Sequence, residues 1–113
     1  MPLTRSFKTA VRSRAQRDAS FRAAMLTEGV ESLLTGDVGT AKAILRNYIN
    51  ATVGFKGLAQ ATGTPTKSLM RMFGPRGNPS ARNLSTVLKQ LQREAGVSLR
   101  VRSSQPRAPR KQV

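Results

Sequence analysis

The most constraining feature of this 113-residue chain is a punctuation mark near its middle: Gly63-Thr64-Pro65, set between two short runs of helical periodicity. Leu58 and Ala59 are suited to the inside of a first short helix. Gly63 ends it, because glycine takes positive φ without a steric penalty and so allows an abrupt turn. Thr64 and Pro65 then restart the helix, Thr64 as a cap for orphan N–H groups and Pro65 at the first helical position. Leu69, Met72 and Phe73 recur at i, i+3 and i+4 and turn one face of this second helix inward. Thr66, Lys67, Met70 and Arg71 are left facing out. After the second helix, Gly74-Pro75-Arg76-Gly77-Asn78-Pro79-Ser80 cannot be helical, since Asn78 precedes a proline and Gly74-Pro75 breaks the pattern. A closing helix follows, capped by Ser80 or Asn83, with Leu84, Val87, Leu88 and Leu91 as its core stripe, and ends near Ala95-Gly96.

Charge narrows the partners. Twenty Lys and Arg against five acids give a formal +15, which suits a polyanion. Between residues 38 and 93 nine basic residues (Lys42, Arg46, Lys56, Lys67, Arg71, Arg76, Arg82, Lys89, Arg93) stand with no acid among them. Soluble surfaces normally mix signs, so a one-signed field over the helix–turn–helix stretch favours nucleic acid. An anionic membrane surface would require a large apolar helix face with no core to receive it, and nothing in the pattern demands that. There is no run of about twenty apolar residues for a membrane span. Met1-Pro2-Leu3-Thr4-Arg5 lacks a secretory apolar region, so the cytoplasm is the expected compartment. The chain has no cysteine and no histidine. Thiolate ligation, disulfides and histidine acid–base chemistry are therefore absent, and Asp18, Glu28, Glu31, Asp37 and Glu94 follow no catalytic spacing. The expectation is no enzyme, no metal and no cofactor.

A chain of this length is expected to form a small all-α bundle of about five helices. Phe7, Val11 and Ala15 predict a first helix over residues 6–16. Asp18 caps a second, with Phe21, Ala23, Ala24, Met25, Val30, Leu33 and Leu34 apolar; Gly29 within it implies a kink or a close helix–helix contact. Asp37 caps a third over 38–51, whose inner face carries Val38, Ala41, Leu45, Tyr48, Ile49 and Thr52. Its other face, with Lys42, Arg46, Asn47 and Asn50, reads as solvated. Residues 97–101, VSLRV, alternate as a short half-buried strand does, and with no second strand nearby one available partner is its own copy in a second subunit. The residues from 102 onward read as a disordered basic tail. The domains expected are an N-terminal helical extension at 1–36, a helix–turn–helix unit at 37–101 and the tail at 102–113.

The pattern LA-x3-G-x5-L, followed by GNPS and LSTVLKQLQ, resembles the helix–turn–helix of Cro- and phage-repressor-type regulators. More narrowly it is similar to the addiction-module antidote proteins, the HigA-like antitoxins. Their SLxxxxxxxGNPxxxxLxxVLxxL run stands here as Ser68-Leu69, Gly77-Asn78-Pro79, Leu84, Val87-Leu88 and Leu91. The chain departs from that pattern where Thr64-Pro65 replaces a capping serine and where Gly74-Pro75-Arg76 lengthens the turn. The resemblance implies a dimeric DNA-binding repressor that is also the antitoxin of a type II toxin–antitoxin pair, its partner a small basic ribonuclease-like toxin.

In a helix–turn–helix the start of the second helix reaches base edges. Lys67 and Arg71 are four apart and share a face, and Arg71 can pair bidentately with guanine. Thr64, Thr66 and Ser68 are short polar candidates at the helix start, and Met70 can touch a thymine methyl or belong to the core. Lys56, Arg76 and Arg82 flank the helix and suit phosphates. A regulator of the same fold without a toxin, and an RNA-binding protein, are the alternatives. The five aromatics (Phe7, Phe21, Tyr48, Phe55, Phe73) fall on core stripes rather than on a display for stacking bases. The docking surface expected for a toxin is the first 36 residues, where most of the acids lie.

Overall fold

A computed structural model of the protein describes residues 5–105. Six helices follow one another: α1 (Arg5–Arg17), α2 (Ala19–Leu34), α3 (Val38–Ala51), α4 (Gly54–Thr62), α5 (Thr66–Met72) and α6 (Ala81–Ala95). The fold is all-α, a small helical bundle, with no strand among the described residues. None of these helices is long and apolar enough to cross a membrane.

Capping side chains place three of the helix starts. Asp18 accepts from the Phe21 N–H at 3.2 Å, Asp37 from Thr40 at 3.1 Å, and Ser80 from Asn83 at 3.1 Å. Each satisfies one of the N–H groups that a first turn leaves without an intrahelical acceptor. Both carboxyls are held below their ordinary range, Asp18 chiefly by the Phe21 amide with Arg14 adding to it, and Asp37 chiefly by the Thr40 hydroxyl and then by the Thr40 amide.

The core is one cluster drawn from five helices. Leu26 of α2 is buried with Leu45, Tyr48 and Ile49 of α3, Phe55 and Leu58 of α4, Leu69 of α5, Phe73 beyond it, and Val87, Leu91 and Ala95 of α6. The 1–36 segment thus contributes, through Leu26, to the same core as residues 45–95. Gly29 is a close contact rather than a kink: a Cβ there would stand 2.9 Å from Leu45 Cδ2, so its absence lets α2 lie against α3. Arg22 ties three helices at their ends, donating to the Ala15 carbonyl of α1 at 2.9 Å and the Ala95 carbonyl of α6 at 3.2 Å. A cation there meets the negative end of each helix dipole. Burial pushes the Tyr48 phenol above its ordinary range.

Four expectations are corrected. Val38 is 45% exposed, because it is the first residue of α3 and sits at the α2–α3 corner rather than over the core. Phe7 is 52% exposed, since α1 reaches the core toward its other end, where Ala15 is fully buried. Lys42 and Arg46 are half-buried and bonded, as described below, and do not form a solvated face. Residues 97–101 form no strand: with no neighbouring strand among the described residues, the Leu99 N–H goes to Gln92 Oε1 at 2.8 Å, and Val97 and Leu99 pack onto the core from an irregular segment. Of the expected tail, 102–105 are irregular and exposed, and 106–113 lie outside the described residues, as do residues 1–4 at the N-terminus.

Candidate nucleic-acid interface

The joint between α4 and α5 follows from its residues. Gly63 stands at φ 73°, ψ 17°, and its N–H returns to the Ala59 carbonyl at 2.9 Å, closing α4 with a left-handed residue. Pro65, with φ −58° and ψ 140°, is the N-cap of α5, and its carbonyl accepts from Leu69 at 3.1 Å. This corrects the expectation that Thr64 caps and Pro65 opens the helix. Proline already fixes φ, its carbonyl supplies the first helical acceptor, and no side chain caps this end.

α5 has only seven residues, so its exposed face is short. Leu69 and Phe73 are buried and Met72 half-buried, while Lys67, Met70 and Arg71 are exposed, Met70 at 54%. Thr64, Thr66 and Ser68 are half-buried, so of the outward residues expected on α5 it is Thr66 that turns partly inward. Beyond α5, Lys56 is exposed on α4, Arg76 on the loop and Arg82 in the first turn of α6. Among the described residues the side chains of Lys56, Lys67, Arg71, Arg76 and Arg82 have no hydrogen-bond or ion-pair partner; the one ion pair is Arg14–Asp18, on the far side of the sequence. Their charge is uncompensated and presented to solvent.

Two positioning residues are invisible in the local pattern. After Phe73 the chain folds back on the end of α5: Gly74 N–H donates to the Arg71 carbonyl at 3.1 Å and Gly77 N–H to the Gly74 carbonyl at 3.0 Å. Gly77 is pressed so close that a Cβ would overlap the Arg71 and Met72 carbonyls. This cap is held from α3. Lys42 Nζ donates to the carbonyls of Gly74 at 2.9 Å and Gly77 at 2.7 Å, and Arg46 donates to the Phe73 carbonyl at 2.8 Å. The two cations satisfy the carbonyls of the C-cap Phe73 and of Gly74 and Gly77 in the loop beyond it, and so tie the exit of α5 to α3. The available signal was two basic residues four apart on α3, a spacing that points both head groups the same way.

The arrangement is a two-turn helix anchored at its far end, started by a fixed turn, and carrying two cations and a thioether outward. It can offer guanidinium and ammonium donors and an apolar contact to a polyanion. Among the described residues no cluster of acidic side chains could hold a metal ion. No family model, no curated protein and no solved structure matches the chain.

Proposed function

We propose that the chain is a sequence-specific DNA-binding transcriptional regulator, acting as a homodimer, in which α5 enters the major groove. The observation that carries this reading is the exposed, unpaired Lys67–Met70–Arg71 face on a helix whose C-cap and following loop are bonded to Lys42 and Arg46 of α3. Lys67 and Arg71 meet base edges, with Met70 between them for a thymine methyl. Lys56, Arg76 and Arg82 take phosphates around the groove and set the register of docking. Thr64, Thr66 and Ser68, half-buried, contribute where a backbone phosphate comes close to the turn.

We propose further that the regulator is the antitoxin of a type II toxin–antitoxin pair, a reading that a second surface of opposite character supports. At the end of α2 and the start of α3, Glu28, Glu31 and Asp37 are exposed beside Leu34, 66% exposed, and Val38. Acidic and apolar together, this corner suits a small basic toxin and is unsuited to DNA.

A footprint of the full chain on its own promoter region, titrated with salt, tests the main reading. A discrete protected window is expected, with affinity falling by about 0.9 in log K per log unit of salt for each phosphate neutralised. Equal protection of promoter and random DNA at every salt concentration would overturn it.

A further inference from the structure

The outer face of α6 carries two electrostatic penalties that nothing in the fold offsets. At about 100° per residue, Lys89 and Arg93 lie within about 20° of Arg82 around the helix axis. The core residues Leu84, Val87, Leu88, Leu91 and Ala95 are centred nearly opposite, so the line of cations looks out to solvent. All three are exposed, and among the described residues none has a side-chain hydrogen bond or an ion pair. Arg82 stands in the first turn, at the positive end of the helix dipole, where an anion is favoured and a cation is not. Lys89 and Arg93 are four apart, the spacing at which like charges repel on a helix surface. Only Arg93, in the last turn, gains from the dipole. Glu94, the one acid of α6, lies about 120° round from Arg82 and accepts instead from Gln90 Nε2 at 2.8 Å. A solvated face ordinarily mixes signs. A polyanion laid along this one would turn both penalties into attractions.

We infer that the line is a second DNA contact: the sugar–phosphate backbone of a duplex runs along Arg82, Lys89 and Arg93 and adds sequence-independent affinity to recognition by α5. The inference rests on the proposed DNA reading for its partner. Arg82, already placed on a phosphate, is where the two surfaces join. From Arg82 to Arg93 the line extends about 16 Å. One strand of B-DNA advances about 3.4 Å along the axis per phosphate, so about five phosphates lie beside three long, mobile cationic side chains. Close register is not required. α6 has no aromatic residue, so the face offers charge to a backbone and no platform for stacking unpaired bases. That is why duplex DNA, and not a single strand, is its occupant.

The test measures the full chain on a random-sequence duplex by fluorescence anisotropy across a salt series. Lys89→Gln with Arg93→Gln removes two charges and keeps helix propensity, since Lys, Arg and Gln rank together. Binding should weaken at least about tenfold at about 0.1 M salt, and the slope of log K against log salt should fall by about 1.8. Lys8→Gln with Arg12→Gln takes the same charge from exposed positions of α1 and should change that slope by less than about 0.5. The unfolding midpoint of the α6 variant should stay within about 4 °C of wild type, and its preference for promoter over random duplex should be kept. Equal losses from the two double variants would overturn the inference, because affinity would then follow net charge. So would a midpoint that falls further, which would make the line a part of the fold, or tighter binding of duplex RNA than of DNA. An unchanged slope beside a discrete footprint would refute the α6 contact and leave recognition by α5 standing. The expected slopes without a discrete footprint would uphold the α6 contact and refute recognition by α5.

Discussion

Lys42 on α3 reaches Gly77 across 35 positions of sequence, its Nζ 2.7 Å from the Gly77 carbonyl oxygen and 2.9 Å from that of Gly74. The loop that ends α5 is thereby fixed to a helix buried in the core. Hydrogen bonds to a charged group contribute about 1.5–3 kcal/mol when their loss leaves acceptors unsatisfied. Lys42 is only half-buried, so water would recover part of that. Lys42→Met should therefore cost about 1–2 kcal/mol, read as a lower midpoint in thermal or urea unfolding. It should also weaken specific DNA binding more than random binding, because α5 loses its alignment. An unchanged midpoint would show that the contact holds nothing in place.

Two glycines should respond to the same substitution with opposite signs. Gly77→Ala drives a Cβ into the Arg71 and Met72 carbonyls, which are backbone and cannot step aside. Overpacking of this kind costs about 1–3 kcal/mol. At Gly39, in the first turn of α3, a Cβ meets nothing within 4 Å. Gly39→Ala should stabilise by about 0.4–1 kcal/mol, through restricting the unfolded chain. Paired unfolding curves decide both. Equal shifts would mean that the close approach at Gly77 is not a constraint.

What the sequence made legible is what is decided within a few residues. Asp18, Asp37, Ser80, Gly63 and Gly96 end or begin helices because their own side chains or φ values do so, and stripes such as Leu84, Val87, Leu88 and Leu91 bury because their spacing fixes a face. The outward direction of Lys67 and Arg71 followed from the same spacing, while Met70, open to either reading, is exposed and Thr66, expected outward, is half-buried. Lys42 and Arg46 escaped it because their acceptors are carbonyls about thirty residues away, and helical periodicity reports the direction of a side chain, not what waits there. Residues 97–101 have the right alternation, but strand formation needs a partner strand, and none stands among the described residues.

Acid should loosen the starts of α2 and α3. The carboxyls of Asp18 and Asp37 sit below their ordinary value of 3.8 because the folded state supplies donors, for Asp18 chiefly the Phe21 amide and for Asp37 chiefly the Thr40 hydroxyl and then its amide. Below that value the unfolded chain binds more protons than the folded one. The stabilisation is thus present above about pH 4 and is lost as pH falls through the depressed folded values. Far-UV circular dichroism in thermal scans below pH 4 should show the midpoint dropping. Asp18→Asn with Asp37→Asn keeps capping oxygens that do not titrate and should flatten the drop. The same slope in both proteins would assign acid sensitivity elsewhere.

If α5 reads bases, cations near it should separate into two classes. Arg71→Ala should cost about 1–3 kcal/mol on the specific site and relax the preference at one base pair. Lys56→Ala and Arg82→Ala should weaken every sequence alike and lower the salt slope by about one each. Fluorescence anisotropy on specific and random duplexes, at several salt concentrations, gives both numbers. An Arg71→Ala loss that is equal on the two duplexes would remove that residue from base recognition.

The acidic corner offers the sharpest test of the antitoxin proposal, and truncation is the wrong tool for it. Deleting residues 1–36 removes Leu26 from the core and Arg22 from the carbonyls of Ala15 and Ala95, and should abolish cooperative unfolding rather than isolate a binding unit. Surface substitutions avoid this. Glu31 and Leu34 are exposed one turn apart on α2, so Glu31→Lys with Leu34→Lys should leave the unfolding midpoint within about 0.5 kcal/mol. It should also leave affinity for the specific duplex undiminished, since the added positive charge lies on another surface. Binding of a basic toxin should fall by at least about tenfold, through repulsion and the loss of an apolar anchor. The assay is titration of the purified product of the adjoining reading frame, scored by calorimetry and by recovery of its ribonuclease activity. If that product binds wild type and double variant equally, the corner is not its docking site. If it binds neither, the chain is a regulator without this partner, and the acids at the α2–α3 corner only balance a surface that is otherwise basic.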